Sequence, residues 1–168
     1  MAARVFVGLG SNLDDPLKQL NDAVLAIRQL PQTHCQKVSS VYVTSPMGPK
    51  DQPDYMNAVV ELETTLAVET LLMHLQAIED EQGRKRDGSV WQARTLDLDI
   101  LLYSNVCIDT PTLTVPHRGC HERAFVLYPL QELDAELQIP GKGDLASLIK
   151  QNLDGEILQK LDINLCPS

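Results

Sequence analysis

This 168-residue chain is short of several things. No apolar run approaches the roughly 20 residues that a membrane span needs. The N-terminal stretch MAARVFVGLGSN carries one arginine and only a brief apolar run, which does not fit a secretory signal. Four cysteines (Cys35, Cys107, Cys120, Cys166) are scattered without a CxxC pair. That argues against zinc or redox chemistry and for reduced thiols in a cytoplasmic protein. Positive charge is also scarce: 14 Lys and Arg face 23 Asp and Glu, a net charge of −9. General nucleic-acid binding, which relies on cations displacing counterions, is therefore not expected. There is no GxxxxGK[ST] loop, and GLGSN near the start lacks the full GxGxxG spacing.

What remains is an ordinary soluble composition, with 43% hydrophobic and 22% charged residues. The length fits one domain, taken as residues 1–168 with a core over about 4–140 and a C-terminal extension over 141–168. Residues 4–9 read as a strand, and GLGSN as the tight turn that leads it into a helix. Asp14 or Asp15 can cap that helix, and Pro16 suits its first turn. KVSSVYVTS reads as a second strand and MNAVVELETTL as a third. A second helix runs from about Leu66 through Ile78 to Gly83, and DLDILLY follows as a strand. NVCIDTPTLTVPH reads as a turn and an extended piece. HERAFVLYPLQEL reads as a short helix interrupted at Pro129, and LASLIKQNL as a last helix. The order β-α-β-β-α-β predicts an α+β, ferredoxin-like core in a single αβα-layered domain, with an additional C-terminal strand and helices. Two long polar segments, 44–55 and 83–93, stand out as functional loops.

The strand RTLDLDILLY poses a problem. Leu96, Leu98, Ile100 and Leu102 fill one face, so Asp97 and Asp99 share the other. Asp is depleted from strands, and two side by side repel unless a cation sits between them. Hard divalent ions take oxygen ligands, and magnesium is often held by one or two carboxylates plus substrate phosphates. The alternative is a solvated face of an amphipathic strand. Six of the fourteen cations lie between positions 84 and 123: Arg84, Lys85, Arg86, Arg94, Arg118 and Arg123. Carboxylates, metal and arginines together describe a polyphosphate site. His117 is a candidate donor to phosphate, since Pro116 and Gly119 argue against a helical HxxxH metal pair with His121. Trp91, the sole tryptophan, sits in a polar loop where it can stack on a flat ligand or pack structurally. Tyr55 and Asn57 share one side of a strand and could hold the edge of a heterocycle.

GLGSNL, GPKDQPDYMNAVVELET, and RTLDLDILLY followed by LTVPH closely resemble the 6-hydroxymethyl-7,8-dihydropterin pyrophosphokinase family of folate biosynthesis, over about residues 4–140. The resemblance implies transfer of pyrophosphate from ATP to the pterin's hydroxymethyl group, with two magnesium ions held by Asp97 and Asp99. It implies that Arg84, Arg86, Arg94, His117 and Arg123 face the nucleotide, whose site Gln76, Glu79, Ile100 and Thr114 line. Asp97, Asp99, Arg84 and Arg94 then carry the chemistry. The pterin lies between Tyr55 and Phe125, with Asn57 bonded to its ring and Thr44, Pro46, Met47 and Trp91 completing the pocket. Val90 and Gln92 stand where the family pattern has a basic residue and a glycine, and Arg118 where an aromatic is frequent. Small-molecule substrates, no nucleic-acid or membrane partner, and a monomer are expected. Two readings stay open on the residues alone: a nucleotidyltransferase using the same aspartates, and a ferredoxin-like binding module without catalysis.

Overall fold

Alternation along the first strand decides the layering. A computed structural model gives the fold and describes residues 2–12, 15–44, 54–82, 96–121, 123–151, 157–161 and 165. In chain order the elements are β1 (Ala3–Ser11), α1 (Pro16–Arg28), β2 (Thr33–Val38), β3 (Val41–Thr44), β4 (Tyr55–Thr64), α2 (Val68–Glu81) and β5 (Asp97–Tyr103). They continue with β6 (Ile108–Asp109), β7 (Thr114–Val115), α3 (Ala124–Leu133), β8 (Gln138–Ile139), β9 (Gly143–Asp144), α4 (Leu145–Gln151) and β10 (Ile157–Leu161). The main sheet runs β10-β3-β4-β1-β5, with β2 also on β4, and every pairing in it is antiparallel. β4 lies between β1 and β3, and β5 flanks β1 on the other side, which is the ferredoxin-like order.

Val5, Val7 and Leu9 of β1 face one way and meet Leu20, Val24 and Ile27 of α1 and Leu71, Leu75 and Ile78 of α2. Phe6 faces the other way, into a second core with Val59, Leu101 and Leu102 of the sheet and Leu127, Leu130, Leu145 and Leu148 of α3 and α4. α1 starts as its sequence requires: the Asp15 carboxylate accepts the Lys18 N–H at 3.4 Å, and Pro16 follows as the first helical residue. Asp15 itself has φ 61°, a left-handed conformation that Asp tolerates.

Three expectations are corrected. GLGSN is not a turn: β1 runs through to Ser11, and Gly8 and Gly10 pair with β4 on one side and β5 on the other. KVSSVYVTS is two strands, because serine side chains break the ladder. Ser39 Oγ accepts the Val59 N–H at 2.9 Å, while the Ser40 N–H and hydroxyl both donate to Glu132 of α3 at 2.9 and 3.0 Å. Pro129 does not interrupt its helix, which runs unbroken to Leu133. Interior proline costs roughly 3 kcal/mol, and here the burial of Val126, Leu127, Leu130 and Leu133 on one short helix outweighs it.

Away from the cleft, Arg4 ties the sheet to α3. Its guanidinium donates to both Glu61 oxygens at 3.2 Å and to Asp134 Oδ2 at 2.9 Å. Burial opposes ionisation of Asp134, but hydrogen bonds from Arg4 and the Glu136 N–H, with the charges of Arg4 and Lys37, outweigh it and hold the carboxyl below its ordinary 3.8. A group whose folded pKa is depressed adds stability above its unfolded value and loses it as pH falls through the folded one. In thermal melts Asp134→Asn is therefore expected to lower Tm by about 2 °C at pH 7. The gap to wild type should close as pH drops below 3.8. An unchanged gap at low pH would show that Arg4 does not hold this carboxylate.

Candidate active site

Residues paired across antiparallel strands present their side chains to the same face. Asp97 pairs with Gly10, Gly10 with Asn57, and Asn57 with Tyr42; one step along, Asp99 pairs with Gly8 and Gly8 with Val59, while Tyr55 pairs with Thr44. The register thus lays two carboxylates on one side of a glycine strip, and an amide and a phenol on the other. α3 covers only the far part of this face. What it leaves open is a cleft of about 190 Å³, lined among others by Gly8, Gly10, Thr44, Tyr55, Asn57, Asp97, Asp99, Leu101, His117, Arg123, Phe125 and Val126.

The glycines make the floor. A Cβ on Gly10 would stand 3.1 Å from Asn57 Oδ1, and one on Gly8 would stand 3.4 Å from the Leu101 side chain. Neither needs a left-handed conformation; among the described glycines only Gly141 and Gly143 have positive φ. The glycines are there for the room they leave. Asn57 is oriented by its neighbours: Nδ2 donates to Thr44 Oγ1 at 2.9 Å and to the Tyr42 carbonyl at 3.4 Å. That leaves Oδ1 beside the floor as an acceptor for a ligand N–H. Burial, then the negative charge of Asp97, push the Tyr55 hydroxyl above its ordinary 10.0, so it stays a neutral phenol.

The wall opposite β1 comes from the segment after β7. The His117 N–H donates to the Leu101 carbonyl at 3.0 Å, which fastens the segment to β5. The Gly119 N–H donates to His117 Nδ1 at 3.3 Å. A neutral ring therefore carries its proton on Nε2, which lies 3.8 Å from Asp99 Oδ1. Arg123 folds back over Gly119, with its guanidinium carbon 2.6 Å from where a Cβ would be. The same guanidinium carbon lies 5.8 Å from the centre of the Phe125 ring. Gly119 thus serves twice, as donor to the histidine and as the gap in which the arginine lies.

Of the residues proposed from sequence, Thr44, Tyr55, Asn57, Asp97, Asp99, His117, Arg123 and Phe125 meet in this cleft. Four described ones do not line it. Gln76 is exposed on α2, Glu79 is buried on the same helix, the Ile100 side chain lies in the first core, and Thr114 is half-buried in β7. Pro46, Met47, Arg84, Arg86, Trp91 and Arg94 lie outside the described residues, as do most of segments 44–55 and 83–93. Gly8, Gly10, Leu101 and Val126 were missed. For the glycines a signal existed, since glycine inside an apolar alternation marks a close approach rather than a turn.

Among the described residues no group of three His, Cys, Asp or Glu is placed to hold a metal. Two hard carboxylates facing one cleft suit magnesium, which fills its remaining positions with water and phosphate oxygens. Thiol ligation has no support there: burial pushes Cys120 up to about 12.

The family model for 7,8-dihydro-6-hydroxymethylpterin-pyrophosphokinase matches residues 6–135. A Haemophilus influenzae protein named 2-amino-4-hydroxy-6-hydroxymethyldihydropteridine pyrophosphokinase is 47% identical over 154 residues, covering 92% of this chain and 96% of that one. One of the same name from Pseudomonas aeruginosa is 49% identical over 149 residues, 89% and 91% of the two chains. Among solved structures, wild-type Plasmodium falciparum HPPK-DHPS superposes with a TM-score of 0.71 at 11% identity. It covers 92% of this chain, which spans 45% of that longer one, so it speaks for the fold alone.

Two substitutions test the cleft. Gly10→Val fills the floor and is expected to weaken pterin binding, read by calorimetry, by about tenfold or more. An unchanged affinity would remove Gly10 from the site. Gly119→Ala keeps the N–H but evicts Arg123, so it should raise the KM for nucleotide several-fold. Added to Arg123→Ala it should do nothing further, and additive losses would show that the two positions act separately.

Proposed function

We propose how the cleft works from one premise: the chain belongs to the 7,8-dihydro-6-hydroxymethylpterin-pyrophosphokinase family. Its activity is the transfer of pyrophosphate from ATP, its co-substrate, to the hydroxymethyl group of 6-hydroxymethyl-7,8-dihydropterin, in folate biosynthesis. The products are AMP and the pterin diphosphate. Its substrates are small molecules, and none of its described helices is long and apolar enough to cross a membrane.

The observation that carries the residue-level reading is the juxtaposition on one sheet face of Asp97 and Asp99 with Tyr55 and Asn57 across a glycine floor, with Phe125 of α3 lining the same cleft. The pterin ring lies over the floor between Tyr55 and Phe125. Asn57 Oδ1 accepts from its N–H edge, and Thr44 holds the amide in that orientation. By resemblance Pro46, Met47 and Trp91, outside the described residues, also belong to the pterin site. Asp97 and Asp99 hold magnesium, two ions in this reading, on the side where the hydroxymethyl group would meet the phosphates. Bound there, magnesium would supply neutralisation of phosphate charge.

The protein's own cations do the rest of the positioning. His117, with its proton on Nε2, donates to a phosphate oxygen beside Asp99. Arg123, lying on Gly119, takes another. Arg84, Arg86 and Arg94 complete the clamp. Arg94 stands three positions before Asp97 in the sequence. By resemblance Gln76, Glu79, Ile100 and Thr114 stand on the nucleotide side. The Ile100 side chain is in the core, so its contribution comes from the main chain at the open edge of β5. The pterin oxygen then attacks the β-phosphorus in line, and positioning with charge stabilisation does most of the work. We place the reaction in the cytoplasm, where ATP is supplied, and read the chain as a monomer of one domain, the single domain being supported by β10 joining the main sheet through β3.

The test is to supply ATP, magnesium and the hydroxymethyl-dihydropterin and identify the nucleotide released. AMP in equal amount to pterin diphosphate is expected; release of inorganic pyrophosphate instead would favour a nucleotidyltransferase. Asp97→Ala and Asp99→Ala should each lower kcat by roughly 10²–10³-fold, with the thermal midpoint little changed. Retention of full turnover by both would remove the carboxylates from the reaction.

A further inference from the structure

β5 is an edge strand: β1 pairs with one side of it, and no described strand covers the other. Asp97 is its first residue, so the carboxylate platform stands at a strand end. Strand ends and edges open at little cost unless something ties them down. Here a bond from outside the sheet reaches the strand at that point. The carboxylate of Glu79, on α2, accepts the N–H of Leu98 at 2.8 Å. Leu98 is the residue between the two aspartates, and Glu79 is only 5% exposed.

The direction of approach matters. Leu98 and Ile100 send their side chains into the core beneath α1 and α2, while Asp97 and Asp99 face the cleft. Glu79 comes from the core side and does not line the cleft. A buried carboxylate is costly unless it is hydrogen-bonded, and a bond from an N–H to a charged acceptor is shorter and stronger than a neutral one. That bond falls on the one peptide whose placement sets both aspartates.

We propose that Glu79 is a positioning residue for the magnesium platform: its carboxylate pins the Leu98 peptide and so fixes the spacing and aim of Asp97 and Asp99. The inference rests on the metal role proposed for those two residues. This role is exerted through the strand, whatever contact Glu79 also makes on the nucleotide side.

Three variants separate the possibilities. Glu79→Gln reaches Leu98 and keeps an acceptor without the charge; Glu79→Asp keeps the charge but is one methylene too short; Glu79→Ala removes both. Two measurements are made on each: exchange of the Leu98 amide by NMR, and Mn²⁺ affinity in the presence of a non-hydrolysable ATP analogue. Glu79→Asp and Glu79→Ala are expected to speed Leu98 exchange roughly tenfold or more. They should weaken Mn²⁺ binding by about 10–100-fold, with pterin affinity in the absence of metal unchanged. Glu79→Gln should recover most of both losses. Weakened metal binding with Leu98 still protected would overturn the proposal, as would Glu79→Gln behaving like Glu79→Ala in metal affinity. If Glu79→Ala fails to fold, the Gln and Asp variants still decide the matter. Asp97→Ala and Asp99→Ala run alongside: if they leave Mn²⁺ binding intact, the metal reading itself fails. If they abolish it while Glu79→Asp does not weaken it, only the role of Glu79 fails.

Discussion

The register of β1 between β4 and β5 is the constraint on which the site depends. Side chains alternate along a strand, so a slip of one residue sends every side chain to the opposite face. In the observed register Asp97 and Asp99 look into the cleft, and Leu98 and Ile100 look into the core. A slip of one on β5 would bury two carboxylates under α2 and expose two large aliphatic residues. The first core is thus what specifies the site: Val5, Val7 and Leu9 must meet α1 and α2, and once they do, Gly8 and Gly10 are left facing the other way. Glycine in a central strand weakens it. Pairing on both sides, and the buried neighbours Val7 and Leu9, hold β1 in place despite that cost.

A second tie sets the width of the cleft. Glu132 of α3 takes the Ser40 N–H and hydroxyl and the Tyr42 hydroxyl, the last at 2.8 Å. These bonds join α3 to the start of β3, whose far end is Thr44. Phe125, near the N-terminus of α3, therefore stands at a defined height over Tyr55 and Asn57, which pair with β3. The split between β2 and β3 belongs to the same arrangement. Ser39 keeps its N–H on the Val59 carbonyl of β4 and takes the Val59 N–H on its hydroxyl, while Ser40 turns its N–H to α3.

Much of this was legible in the sequence, for definite reasons. Period-3.6 apolar spacing fixed α1 and α2, and Asp15 and Pro16 marked where α1 begins. The DxD pair stood out because carboxylates are rare inside so apolar a strand. His117, Arg123, Tyr55 and Asn57 stood out by residue type and position, Phe125 through the resemblance alone, and they do share one cleft. What escaped notice depended on tertiary context. Two glycines separated by one residue read locally as a turn, and only pairing on both sides makes them a floor. Two adjacent serines in a β-branched run look like strand until Glu132, 92 positions away, claims one of them. Proline inside α3 looks like a stop until the burial of the surrounding leucines is known.

The cleft is graded, and the gradient fits its two substrates. At its inner end Val59, Leu101 and Val126 continue the second core. At its outer rim stand Asp99, with its side chain 52% exposed, and His117 at 30%. A flat, largely apolar ring gains most by displacing water from the inner end, while a polyphosphate keeps more of its hydration at the rim. A metal, His117 and Arg123 can meet its charge there without being fully buried themselves, which avoids the desolvation cost that a fully enclosed ion pair incurs. In the proposed reading the reacting atoms meet where the apolar seat gives way to the charged rim. Asp97, half-buried and close enough to Tyr55 to raise its pKa, marks that boundary. Its charge reaches the Tyr55 hydroxyl because water only partly surrounds it there. The more buried of the two aspartates thus stands beside the Tyr55 phenol, and the more exposed one beside His117.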